Sequence, residues 1–90
     1  MSNPVQISCN YTNTTSTKTI YTGPCAIYGI WVSSASNTPT LKVSDGANVV
    51  ANTFTPAGAT FYQIPASIAT SLIVTVSGTV DCTVMWNSSF

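Results

Sequence analysis

The sequence predicts an all-β protein, built as a single antiparallel β-sandwich or jelly roll of about eight short strands. Serine and threonine make up more than a quarter of the 90 residues, whereas glutamate and arginine are absent and leucine is rare. Threonine, valine, isoleucine and aromatic residues suit a pleated, half-buried surface better than a helix. Short runs of alternating apolar and polar residues also follow one another along the chain, as they do in sandwiches and barrels.

In the first half of the chain, this alternation predicts four strands, at residues 4–9, 18–22, 25–33 and 40–44. The low-complexity segment at residues 10–19 is predicted as a loop leading into a strand, because threonine and asparagine satisfy a loop without a packed core. Residues 25–33 make the strongest strand. We expect Ile27 and Trp31 on one of its faces. The other face is expected to carry Tyr28, Ile30 and Val32.

The second half of the chain predicts four more strands, at residues 49–55, 60–64, 72–77 and 80–86. Asp45 and Gly46 form the turn that precedes them, and we expect the Asp45 side chain to cap the backbone of its own turn. The last two strands form a hairpin around Gly78. Their apolar faces are predicted to consist of Leu72, Val74 and Val76 in one strand and Val80, Cys82, Val84 and Trp86 in the other.

A chain of this length is one domain, near the small end of what folds alone. We divide it into an N-terminal arm with the first strands, residues 1–22, and a β-sandwich body, residues 23–90. The N-terminus lacks the basic and apolar regions of a signal peptide. The longest apolar stretch is also far shorter than the roughly 20 residues that span a bilayer. We therefore expect synthesis in the host cytoplasm and no membrane partner.

Charged side chains are almost missing: the chain has only Lys18, Lys42, Asp45 and Asp81, and it has no histidine. Acid–base and nucleophilic catalysis lack the usual base. Two lysines cannot neutralise a nucleic-acid backbone, and two separated aspartates cannot build a calcium site. We therefore expect no enzyme, no cofactor, no metal and no nucleic-acid partner. A formal net charge of zero favours association, and we expect a homo-oligomer.

The three cysteines, Cys9, Cys25 and Cys82, are an odd set without metal-ligand spacing. We expect them to act as small buried hydrophobes in strands. One disulfide among them is the alternative, which a reducing compartment disfavours.

Several predicted strands carry apolar residues on both faces, and a 90-residue domain can bury only one of them. A neighbouring subunit is the economical cover for the other. The predicted interface with another subunit or another partner protein consists of Tyr28, Ile30, Trp31, Tyr62 and Trp86. Two alternatives stay open. Tyr28 can lie at the edge of the core, and the aromatic residues, with Phe61 among them, can form a stacking platform for sugars.

Residues 23–90 resemble small structural proteins of tailed bacteriophages. The resemblance rests on the strand entry GPCAIYGI at residues 23–30, the turn LKVSDG at residues 41–46, the Ile64–Pro65 step, and the hairpin LIVTVSGTVDCTV at residues 72–84. It covers about three quarters of the chain. Phage proteins of this type are commonly β-sandwich or jelly-roll domains and are often trimeric. Many of them bind the outside of a capsid as decoration or cement proteins.

The resemblance implies a virion structural protein, a capsid decoration or cement protein that binds the outer capsid surface as an oligomer and stabilises the shell. The expected partners are further copies of the chain, as a homotrimer, and the major capsid protein. Residues 2–19 are expected to be the arm that contacts the capsid or a neighbouring subunit. The alternatives are a tail, neck or head-fibre component of the virion and a carbohydrate-binding, lectin-like module that recognises a host glycan.

Overall fold

The computed structural model describes residues 9–88, and within them the chain is all-β, as predicted. The strands are β1 (Asn10–Thr14), β2 (Lys18–Thr22), β3 (Cys25–Asp45), β4 (Asn48–Phe54), β5 (Thr60–Ile68) and β6 (Ser71–Asn87). They form one continuous antiparallel sheet. No helix in this part of the chain could cross a membrane. Most of the strand predicted at residues 4–9 lies outside the described residues.

The long strands β3 and β6, of 21 and 17 residues, pair along the centre of the sheet. On the outer side of β6 lie β1 and β2, one after the other, and on the outer side of β3 lie β5 and β4. The sheet thus has two four-stranded halves. We call β1, β5, residues 25–32 and residues 82–87 the aromatic half. We call β2, β4, residues 41–45 and residues 71–76 the polar half. Each long strand combines two predicted short ones, so the described residues form six strands in one sheet instead of about eight.

A short link shows how far the sheet is bent. Thr22 pairs with Ser71 at the start of β6, whereas Ala26, only four residues later, pairs with Asn87 at its end. Four Cα–Cα steps span at most about 15 Å, but a straight strand as long as β6 would span about 55 Å. The sheet must therefore double back until its two ends meet. The link between β5 and β6 is equally short.

The core lies between the inner faces of the two halves. Its buried apolar side chains are Ile20, Cys25, Ile27, Ile30, Val32, Leu41, Val43, Ile68, Leu72, Val74, Val80, Cys82 and Val84. Both halves contribute, because strand alternation continues through the bend of β3 and β6. The inward faces predicted for β6 are confirmed: Val76 and Trp86 are partly buried against this core, and the other members are buried.

The bend is located where β3 has two residues more than the part of β6 that it faces. Ser36 pairs with Thr79 and Thr40 with Ser77, so the three intervening residues of β3 face Gly78 alone. Gly78 has a φ of +77°, which suits glycine. A Cβ at this position would lie 2.5 Å from the Asn37 carbonyl oxygen. The tight approach of the two backbones therefore requires glycine here.

Two local predictions were wrong. Residues 10–14, predicted as loop, form the edge strand β1, because their backbone pairs with residues 82–86 of β6 despite their polar side chains. In β3, the register shifts between Ile27 and Gly29. This bulge changes the phase of alternation by one residue. As a result, Ile27 shares the inner face with Ile30 and Val32, and Trp31 lies on the outer face.

Asp45 joins the two ends of the doubled sheet. Its carboxylate accepts hydrogen bonds from the backbone N–H groups of Ala69, Thr70 and Ser71 at 2.8, 2.8 and 3.2 Å. These residues link β5 to β6. The sequence predicted that Asp45 caps its own turn, but its carboxylate caps this neighbouring turn instead. The bonds from Ala69 and Thr70 are the main reason that the pKa of Asp45 is lowered.

Candidate functional site

The outer face of the aromatic half carries a band of large side chains, which we call the aromatic face. One row across the four strands, given by the register, runs Tyr11, Met85, Gly29, Gln63. The next row runs Asn13, Thr83, Trp31, Phe61. Tyr11 is 77 % exposed, Phe61 46 % and Trp31 37 %. Large apolar side chains are thus concentrated on the outside of one half of the molecule.

Phe61 covers a glycine in the middle of this face. A Cβ added to Gly29 would meet the Phe61 ring and would lie 2.6 Å from the carbonyl oxygen of Tyr62. The absence of a side chain at Gly29 therefore lets the Phe61 ring lie flat across β3. This arrangement resembles the aromatic cover that stabilises glycines in other sheets.

Beside this ring lies a shallow pocket of about 260 Å³. It is lined by Cys9, Tyr28, Phe61, Gln63, Pro65 and Met85. Local irregularities of the sheet create it. Tyr28 is the extra residue of the β3 bulge, with no partner in the β6 register. Pro65 lies where β5 has two residues opposite one of β3 and cannot donate to the strand ladder.

The structure separates the five residues predicted as an interface. Tyr28 lines the pocket and Trp31 lies on the same outer face. Ile30 has no exposed surface and belongs to the core. The sequence predicted Ile30 on the same face as Tyr28, but the β3 bulge turns Ile30 inward.

Tyr62 and Trp86 hold the two halves together along the lateral edges of the sheet. The Tyr62 ring of the aromatic half lies 5.0 Å from the Phe54 ring of the polar half. The Trp86 ring lies 5.0 Å from that of Tyr21, again across the halves. Trp86 Nε1 also donates to Thr12 Oγ1 at 3.0 Å. Both rings therefore have an intramolecular role.

Charged groups lie away from the centre of the aromatic face. Lys18 and Lys42 belong to the polar half. Asp81 lies close to the bend, where Asn13 Nδ2 donates to its Oδ1 at 2.8 Å. The same Asn13 amide also donates to the Cys82 carbonyl oxygen and to Thr83 Oγ1. The margin of the aromatic face is consequently polar and its centre is apolar.

The two buried cysteines do not offer reactive thiolates. Burial raises the pKa of the Cys25 thiol, and nearby Asp45 raises it further. Burial and the Asp81 charge raise the pKa of Cys82 to about 11. Since the thiolate is the nucleophile, both groups are protonated and unreactive at neutral pH. All three cysteines are free thiols, and Cys9 is only partly buried.

Within residues 9–88, no three histidine, cysteine, aspartate or glutamate side chains come close enough together to hold a metal ion.

The aromatic face has the composition of a contact surface, with aromatic residues and methionine at its centre and polar groups at its margin.

Sequence reasoning missed several residues of this face, among them Cys9, Tyr11, Gln63 and Met85. Tyr11 was missed because its segment was predicted as loop. Gln63 is the easiest to recover, because β5 alternates outward Phe61, Gln63 and Pro65 with inward Tyr62 and Ile64. Alternation along β6 places Met85 on the outer face, but only the tertiary fold brings it next to Cys9.

Comparison with protein-family models, with curated proteins and with solved structures finds no match for this chain. The functional argument therefore depends on the surface itself.

Proposed function

We propose that this protein is a structural component of a virus particle, a decoration or cement protein that binds the outer surface of a tailed-phage capsid as an oligomer. The observation that carries the proposal is the aromatic face. Its centre has no charged group, so covering it with another protein requires no desolvation of an unpaired charge. The near absence of charge in the whole chain and the resemblance of residues 23–90 to phage structural proteins also support it.

The proposed mechanism is mechanical stabilisation through buried area. Tyr11, Trp31 and Phe61 together expose about 300 Å² of side chain, given their exposed fractions and the usual size of aromatic side chains. Burial of this area is worth about 8 kcal/mol before the costs of association are subtracted. Those costs are of the same size, about 4–15 kcal/mol. A single copy would therefore bind weakly, and several linked copies would hold adjacent capsid subunits together through their combined affinity.

The test is the copy number of the protein in purified particles of its source virus, measured by quantitative mass spectrometry against the major capsid protein. A ratio near one, or a simple fraction such as one third, is expected for a capsid-wide decoration protein. A handful of copies would place the protein in the tail, neck or head fibre and contradict the decoration role. Complete absence would overturn the virion proposal.

A matched pair of variants tests the role of the aromatic face in this binding. Phe61→Ser removes a ring from the face, whereas Val49→Ser removes an apolar side chain of similar exposure from the polar half. Purified protein is added to particles that lack it, and bound copies are counted. Phe61→Ser should lower occupancy and Val49→Ser should not. Equal occupancy for the two variants would mean that another surface binds the capsid.

The aromatic face also favours a second candidate, a carbohydrate-binding module. Sugars stack on exposed aromatic rings, and the Gln63 amide beside Phe61 and Tyr28 offers both a donor and an acceptor. Binding on a glycan array that disappears in Trp31→Ala would support this candidate. An array without binding, together with a high copy number in particles, would leave the decoration role.

A further inference from the structure

The aromatic face contains both a projecting side chain and a pocket. Among residues 9–88, Tyr11 is the most exposed of the large apolar side chains, at 77 %. Its neighbour across the strand pair, Met85, lines the pocket, and Gln63 on the far side of the pocket lies in the same row. With strands about 4.8 Å apart, Tyr11 and Gln63 are separated by about 14 Å. The projection and the pocket therefore lie side by side on one surface.

The pocket has the size and lining of a site for a single side chain. Its volume of about 260 Å³ is below the roughly 300–1,000 Å³ of sites for small ligands. Among the six lining residues only Tyr28 and Gln63 have strongly hydrogen-bonding side chains, so a ligand with many polar groups would leave most of them unpaired. An aromatic ring with one hydroxyl group, as in tyrosine, suits a mainly apolar pocket with one amide and one phenol.

We propose that the occupant is Tyr11 of a second copy of this chain, and that two copies exchange their Tyr11 side chains across a two-fold axis. The Tyr11 side chain and the pocket lie on the same side of the sheet. A second copy must therefore approach with its aromatic face opposed to that of the first. A two-fold axis between the faces then brings each Tyr11 to the other copy's pocket in the same step. The inference rests on the proposed function, in which the aromatic face is an assembly surface, and names the partner that covers this face in the free protein before the capsid replaces it.

Charge supports a second copy as the partner. A face that meets its own copy places identical groups near each other, and charged groups would repel. Here the central rows carry no charge, and Asp81 at the margin already accepts a hydrogen bond from Asn13. Self-association of this face therefore has no electrostatic cost at its centre. A two-fold pair differs from the trimer that the sequence led us to expect.

The available area predicts a weak but specific pair. Four strands about 4.8 Å apart and on average about seven residues long cover about 450 Å². Two such faces would bury about 900 Å², close to the lower limit of roughly 1,000 Å² for a specific interface. We therefore expect a dissociation constant on the order of micromolar.

Sedimentation velocity across a concentration series tests the pair. Wild-type protein should change from monomer to dimer as concentration rises through the micromolar range. Tyr11→Ser should raise the dissociation constant at least about ten-fold, as loss of a central aromatic anchor does. Val49→Ser, the matched control, should leave it unchanged. Wild-type protein that remains monomeric, or equal loss in both variants, would overturn the inference.

Disulfide trapping tests directly whether position 11 of one copy lies next to position 63, at the pocket of the other copy. In a Cys9→Ser background, the variant Tyr11→Cys/Gln63→Cys is oxidised with glutathione disulfide, which accepts the two electrons from each thiol pair. The 14 Å between the two positions within one chain is about twice the largest Cα separation of a disulfide, near 7 Å. The bond can therefore form only between copies, and a covalent dimer is expected on a non-reducing gel. Val49→Cys/Gln63→Cys should stay monomeric, and dimer at equal yield in this control would contradict the proposed contact.

The two proposals fail separately. Monomeric wild-type protein that is still abundant in particles would refute the two-fold pair and leave the decoration role. A dimer that is trapped through Tyr11 but is absent from particles would support the pair and refute the decoration role.

Discussion

Outward positions of the aromatic half hold Tyr11, Trp31, Phe61 and Met85, whereas those of the polar half hold Thr19, Lys42, Val49, Ile73 and Thr75. Inward positions do not differ in this way. Both halves place isoleucine, valine and leucine side chains in the same core. The two halves therefore solve the same folding problem with similar residues and differ in what they present to the outside.

This difference shows that folding does not require an aromatic outer face. The polar half folds with threonine, lysine, valine and isoleucine at equivalent positions, and strand alternation needs only one apolar face. The proposed partner would account for the concentration of exposed rings on one half, by covering them. The following predictions test whether the two halves contribute equally to folding and differ only in what their outer faces bind.

The largest expected effect is the loss of a core side chain, and it should be equal in the two halves. Ile30→Ala in the aromatic half and Leu41→Ala in the polar half each remove a side chain with no exposed surface. Each should lower the free energy of unfolding by about 3–4 kcal/mol. Chemical denaturation followed by circular dichroism measures both. A single transition is expected in each variant, because the halves share one core, and two separate transitions would show that the halves unfold independently.

A substitution at the bend between the halves should lower the free energy of unfolding by nearly as much. Gly78→Ala places a methyl group 2.5 Å from the Asn37 carbonyl oxygen at a φ of +77°. The left-handed conformation costs about 1–2 kcal/mol for alanine, and the crowding adds about 1–3 kcal/mol. Thermal and chemical denaturation should show the loss. Gly58→Ala is the control, because its Cβ would meet nothing closer than 3.4 Å. Similar stability of the two variants would mean that the bend relaxes without strain.

The strand pattern of the chain could be predicted because it depends on local alternation. Residues 72–86 illustrate this: a period of two around Gly78 predicts both inward faces correctly. The same reasoning assigned Ile30 and Trp31 to the wrong faces of β3. The bulge at Tyr28 shifts the phase of alternation, and bulges depend on the neighbouring strands. Reasoning from alternation also failed at residues 10–14, whose strand conformation is due to pairing with β6 and not to their own side chains.

The candidate site was predictable only in part for the same reason. The sequence placed Trp31 and Tyr28 among the candidate interface residues because they are aromatic residues in a strong strand, and both lie on the aromatic face. Trp86 and Tyr62 look equivalent in the sequence, yet they contact rings of the other half. Whether an aromatic residue faces a partner or the other half of its own sheet depends on how the sheet doubles back, which local alternation does not determine.

A smaller effect is expected from the carboxylate that holds the two halves together at the end of the sheet. The folded-state pKa of Asp45 is lowered by the N–H groups of Ala69 and Thr70. Its contribution to stability is therefore present above the unfolded pKa of about 3.9 and is lost as the pH falls through the lower folded pKa. Asp45→Asn should be less stable than wild type at neutral pH, and this difference should shrink in acid. Denaturation midpoints from pH 7 to pH 2 measure it, and a constant difference would contradict the assignment.

The smallest effect on folding should come from the outer faces themselves. Tyr11→Thr on the aromatic half and Val49→Thr on the polar half replace side chains that are 77 % and 52 % exposed. Threonine suits a strand, so each variant should change the free energy of unfolding by less than about 0.5 kcal/mol at concentrations where the protein is monomeric. If Tyr11→Thr unfolds much more easily than Val49→Thr under these conditions, the aromatic face contributes to the fold and its rings need no partner. If the two variants are equally stable and only Tyr11→Thr loses self-association, the two halves are alike in folding and differ in binding, because the outer rings stabilise an assembly and not the domain.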